Sequence, residues 1–120
     1  MADHRHERVE HLVAVELATL LQREAKDPRL AGVTISAVRM TADLREARVL
    51  FRILGDPAGL SAIERALARA TPFLRARVGR RLGLRVTPTL RFEYDTTPDA
   101  ARRVDELLRT TRSGKDEEET

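Results

Sequence analysis

The sequence predicts an α+β fold, with helices on one face of a three-stranded sheet. Two long stretches carry apolar residues at helical spacing: Val9, Leu12, Val13, Leu17, Leu20 and Leu21 early on, then Ile63, Ala66, Leu67, Ala70, Leu74, Val78 and Leu82. Three short stretches alternate apolar and polar residues, the pattern of strands with one buried face. At 120 residues without cysteine, the chain is one domain, large enough for a core without disulfides or thiolate metal sites.

Residues 5–26 read as an amphipathic first helix. Asp27-Pro28 ends it, because the residue before proline avoids the helical region. Residues 29–32 form a loop. Residues 33–41 read as a strand in which Val33, Ile35 and Ala37 share one phase and Val38 and Met40 the other, the mark of a bulge. A turn over 42–46 leads into a strand over 47–54, where Ala47, Val49, Phe51 and Ile53 alternate with Arg48, Leu50, Arg52 and Leu54, completing a hairpin. After a Gly/Pro loop over 55–59, Ser61 is placed to cap the next helix.

Pro72 interrupts that helix. With Thr71 as a new N-cap and Pro72 in the first helical position, a second helix restarts at an angle, which makes Ala70, Thr71 and Pro72 the kink. Gly83 stops it. Val86, Leu90, Phe92 and Tyr94 alternate with Thr87, Thr89, Arg91 and Glu93 in a third strand, with Pro88 at an edge or outside the ladder. Thr97-Pro98 opens a short last helix through Val104, Leu107 and Leu108. The domain spans 1–112; residues 113–120, with Asp116 to Glu119 and no apolar side chain, are expected to be a disordered acidic tail.

The net charge of +3 hides its own distribution. Residues 65–91 hold eight arginines and no acid. The preceding 64 residues hold 9 Lys/Arg against 10 Asp/Glu, and the last 29 hold 5 against 9. On a helical wheel Arg65 and Arg69 fall opposite the first apolar stripe and Arg80 opposite the second, with Arg77 nearby. Arg75 and Arg81 flank the apolar face, where their stems can cover it. Single-sign charge of this density favours contact with RNA phosphates through Arg65, Arg69, Arg75, Arg77, Arg80, Arg81 and Arg85. Four aromatics are too few for a base-stacking platform. No run approaches the roughly 18 apolar residues of a membrane span, and the charged start lacks a signal-peptide core, so a cytoplasmic protein without membrane contact is expected.

The order helix, strand, strand, helix-kink-helix, strand is that of the type II KH domain, an RNA-binding module. Its Gly-x-x-Gly clamp is missing: Gly55/Gly59 and Gly79/Gly83 are spaced one residue too far. Four groups of residues together resemble the bacterial ribosome-binding factor A family. They are Arg8-Val9, Asp27-Pro28-Arg29-Leu30, Asp43-Leu44 with Ala47 and Val49, and Phe73-Leu74-Arg75 followed by the run from Leu84 to Phe92 and by Asp95. The resemblance runs from about Arg5 to Leu108. It implies a KH-like fold in which a helix-kink-helix replaces the glycine clamp. Where the family's kink reads Ala-x-Gly, this chain has Ala70-Thr71-Pro72. The resemblance also implies a non-catalytic assembly factor that binds the free 30S subunit late in maturation, supports 16S rRNA 5′-end processing and leaves before translation. The implied partner is 16S rRNA within the 30S subunit. No cofactor, metal or small-molecule substrate is expected, and the chain is expected to act as a monomer.

Other candidates carry less. His4, His6 and His11 have no carboxylate at a fixed spacing and read as solvated rather than metal-binding. Asp43 and Asp95 lie at strand ends, where a backbone-binding role outweighs a catalytic pair. Phe73 is expected to pack into the bend rather than stack on a base. The competing reading of the arginines is a basic module for an acidic protein partner, which ribonuclease treatment of the complex separates from RNA binding.

Overall fold

The computed structural model describes residues 4–24, 26–55, 57–97 and 107–108. Helix α1 (His4–Arg23) is followed by a 3₁₀ turn (Pro28–Gly32), strands β1 (Val33–Met40) and β2 (Glu46–Ile53), a second 3₁₀ turn (Pro57–Gly59), helix α2 (Leu60–Leu82) and strand β3 (Thr89–Tyr94). β1 and β2 form an antiparallel hairpin, and β3 runs parallel to β2 on its other side. A parallel neighbour needs a long crossover, which α2 supplies. The architecture is the expected α+β one.

One face of the sheet is the core. Ala47, Val49 and Phe51 on β2 are fully buried against Val13 and Leu17 of α1 and Leu67, Leu74 and Val78 of α2. The register of β1 slips between Ile35 and Ala37. This bulge carries Val33 on one side of it and Val38 and Met40 on the other to the same buried face, resolving the two phases seen in the sequence. β1 is an edge strand, and Glu10 satisfies one of its free groups: the Met40 N–H donates to Glu10 Oε2 at 2.7 Å. His6, expected in solvent, is instead half-buried, with its Nε2 3.1 Å from the Thr41 carbonyl and its Nδ1 3.6 Å from Glu10. Among the described residues no three His, Cys, Asp or Glu side chains gather as a metal site.

Asp43 and Asp95 both bind backbone. Asp43 Oδ1 accepts from the Thr41 hydroxyl at 2.6 Å and the Arg45 N–H at 3.1 Å, which lowers its pKa. That clasp holds Leu44 in the left-handed region, at φ 60°, where a leucine is strained. Asp95 is buried. Burial raises its pKa, but the Thr97 N–H at 2.9 Å, the Ser36 and Thr97 hydroxyls and Arg52 at 3.6 Å outweigh it and bring the value to about 2. Because the folded value lies below the ordinary 3.8, this contribution is full above that pH and fades as pH falls toward 2. Allowing for solvent screening, it is on the order of 1 kcal/mol. Asp95→Asn should therefore lower stability at neutral pH and flatten the acid-unfolding profile between about pH 4 and 2, as followed by circular dichroism.

Several local expectations need correction. α1 ends at Arg23, and Asp27 caps the 3₁₀ turn, accepting the Arg29 N–H at 3.0 Å, so residues 29–32 are not an irregular loop. The N-cap of α2 is Gly59 rather than Ser61, because the 3₁₀ turn delivers the chain in helical sense one residue before the serine. Helix α2 also does not restart at Thr71: it runs through Pro72 as one element. The Thr71 hydroxyl donates back to the Leu67 carbonyl at 2.7 Å, an arrangement that tends to bend a helix, instead of capping a new one. Leu67, five residues before the proline, and Leu74, two after it, are both buried in the core and hold the helix across it. Gly83 ends α2 in the left-handed conformation, at φ 61°, as expected. The expected last helix and acidic tail lie outside the described residues, apart from Leu107 and Leu108, which are helical.

Candidate nucleic-acid interface

All seven arginines proposed for RNA are exposed. Leu67, Leu74 and Val78 anchor one side of α2 in the core, so Arg65, Arg69 and Arg80 stand on the far side and Arg77 and Arg81 on one flank. Their surroundings divide them into three groups.

Arg75 belongs to the fold. Its Nε and one terminal nitrogen donate to the Pro88 and Thr87 carbonyls, each at 3.0 Å, tying the segment before β3 to α2. At the same place Thr87 packs so closely on Gly79 that a Cβ there would lie 2.5 Å from its Oγ1. Two nitrogens of the Arg75 guanidinium are thus committed to backbone acceptors, which leaves it less available to a phosphate than its neighbours.

Arg69, Arg77 and Arg81 meet acids that the sequence places far away. Arg81 lies 3.9 Å from Glu16, Arg77 3.6 Å from Glu24 and Arg69 3.8 Å from Asp27. Residue numbers rise on one element as they fall on the other, so α1 and its exit run antiparallel to α2. The stretch that is free of acids in sequence has an acidic border in space. These pairs are long, with exposed arginines and acids that are at least partly exposed, worth about 0–1 kcal/mol each, and a phosphate can displace the carboxylate.

Arg65, Arg80 and Arg85 have no acidic partner among the described residues. They form the unopposed part of the field, two on the outer ridge of α2 and one just beyond its end. Arg91, the eighth arginine of the run, sits on the opposite face of the sheet, 3.9 Å from Glu46. That face is mixed in sign: Arg48 holds Glu93 through two hydrogen bonds at 3.2 and 2.8 Å, which lowers the Glu93 pKa. Sign, rather than number of arginines, distinguishes the outer side of α2 from that face.

Phe73 is partly exposed, at 38%, and the Arg77 guanidinium sits 5.3 Å from its ring centroid. Leu74, the next residue, takes the fully buried position on α2.

A family model described as ribosome-binding factor A matches residues 5–108. Ribosome-binding factor A of Saccharopolyspora erythraea is 50% identical over 108 residues, which cover 90% of this chain; the match covers 65% of that protein, so the chain spans just under two thirds of its length. The crystal structure of ribosome-binding factor A from Thermus thermophilus superimposes with a TM-score of 0.65 at 31% identity, covering 74% of this chain and 94% of that one. A homology model of the Thermus thermophilus factor, fitted into a cryo-electron-microscopy map of its complex with the 30S subunit, superimposes with a TM-score of 0.58 at 30% identity, covering 81% of this chain and 99% of that one.

Proposed function

Because the chain belongs to the ribosome-binding factor A family, we propose that it docks on the free 30S small ribosomal subunit and assists its late maturation, including 16S rRNA 5′-end processing. It acts as a non-catalytic, monomeric binding factor in the cytoplasm, with residues 1–112 as the binding unit. The observation that carries the RNA-facing part of this reading is the unopposed set Arg65, Arg80 and Arg85 along one helix, with Arg69, Arg77 and Arg81 held beside it in weak ion pairs. Affinity comes from arginine–phosphate contacts, and specificity from the shape of folded rRNA, since no set of side chains among the described residues is arranged to read base edges.

Purified chain mixed with 30S subunits and sedimented through a sucrose gradient should travel with the subunit, and ribonuclease digestion should release it. Survival of the complex through digestion would instead assign the basic helix to an acidic protein partner. Failure to sediment with the subunit at low salt would remove the 30S reading.

A further inference from the structure

The geometry points to Phe73 as a stacking residue for one unpaired nucleobase of the docked RNA, with Arg69, Arg77 and Arg80 binding the phosphates around it. This rests on the reading that α2 faces RNA, and it adds a local contact that shape and charge alone do not require.

Phe73 is the one aromatic residue among the described residues that is exposed: Phe51 is fully buried, and Phe92 and Tyr94 are half-buried against the core. Its neighbours along the exposed side of α2 are Arg69 one turn before, Arg77 one turn after and Arg80 two turns after, with the small Ala76 between them. Arg77 is held over the ring at 5.3 Å while Glu24, 3.6 Å away, draws its guanidinium from the α1 side. The result is a partly exposed ring with a cation over it and two more arginines along the same side of the helix. A protein partner placing an apolar side chain on this ring would have to strip water from three guanidinium groups without replacing it. A nucleotide meets both needs at once, since its base stacks on the ring or on the guanidinium plane and its phosphates meet the arginines. A lone exposed ring serves one base, which fits a factor that docks on folded RNA and captures a single unstacked nucleotide.

The chain contains no tryptophan, so Phe73→Trp installs a single indole reporter at the site. Indole emission should fall when 30S subunits are added, because a stacked base quenches it. Phe73→Leu keeps an apolar side chain but removes the π-face. It should weaken 30S binding about tenfold or more while leaving the thermal transition and the salt dependence of binding unchanged, because no phosphate contact is lost. The Arg65→Glu/Arg80→Glu variant tests the docking face separately. If Phe73→Leu binds like the parent while the arginine variant has lost binding, the docking face stands and the stacking proposal is overturned. If both bind like the parent, the docking reading itself fails. An indole that binds 30S subunits with parental affinity and unchanged emission also overturns stacking, whatever the leucine variant does.

Discussion

Reversing Arg65 and Arg80 together to glutamate should weaken 30S binding by about 10²-fold or more, while the thermal transition barely moves. Neither side chain has an acidic partner among the described residues, and both stand away from the core, so the folded state loses no ion pair or packing and only the small helix-dipole contribution of Arg80. In the complex each loses a charge-assisted contact to phosphate, worth about 1.5–3 kcal/mol, and places a carboxylate against the RNA. The log–log slope of affinity against salt should flatten by about two, one for each phosphate contact removed. Reversing Arg69 and Arg81 instead should cost less affinity, because in the free protein those side chains already share Asp27 and Glu16. Equal binding by parent and Arg65→Glu/Arg80→Glu, measured by filter retention across about 50–200 mM salt, would move the docking surface off this helix.

Phe51→Ala should destabilise the fold by about 3–5 kcal/mol. Phe51 is fully buried on the central strand and meets Tyr94 edge-to-face, with ring centroids 5.8 Å apart. A domain of this size has about 5–15 kcal/mol of stability in all, so the variant should sit near its unfolding threshold. In urea the midpoint should drop sharply with little change in slope. Any loss of 30S binding by this variant should follow its unfolded fraction, the opposite of the arginine pair. A shift below about 1 kcal/mol would show that the sheet does not pack on the helices through this residue.

Features set by local chemistry were legible in the sequence. Strand phases follow from period-two alternation, so Ala47, Val49 and Phe51 could be placed in the core directly. The conflicting phases of Val33 and Met40 required a bulge, which lies between Ile35 and Ala37. Gly83 marked a helix end because a left-handed residue was needed there. What misled was local preference overruled by packing. Thr71-Pro72 favours a helix start in isolation, but buried Leu67 and Leu74 keep the helix in one piece, and the proline sacrifices only one hydrogen bond.

The arginine cluster was visible and its internal order was not. Wheel position identifies Arg65 and Arg80 as outward. It cannot show that Arg75 reaches the Thr87 and Pro88 carbonyls, since that depends on the path of the chain after Gly83. Nor can it show that Glu16, Glu24 and Asp27 border the helix, since that depends on the antiparallel packing of α1. Buried Glu10 had no sequence signal at all, because its partner is a backbone N–H thirty residues away.

The most direct test of α2 as the RNA-facing element uses the absence of cysteine from the chain. A single Ala76→Cys places a reactive thiol on the exposed side of α2 between Phe73 and Arg80, and Thr34→Cys places one at an exposed position on the opposite face of the sheet. Each can carry an iron chelate that generates hydroxyl radicals in the assembled 30S complex. If α2 lies on the RNA, the probe at Ala76→Cys should cut 16S rRNA strongly at a compact set of nucleotides, and the probe at Thr34→Cys only weakly. Strong cleavage from Thr34→Cys with none from Ala76→Cys would contradict the assignment and put the sheet, not the arginine helix, against the subunit.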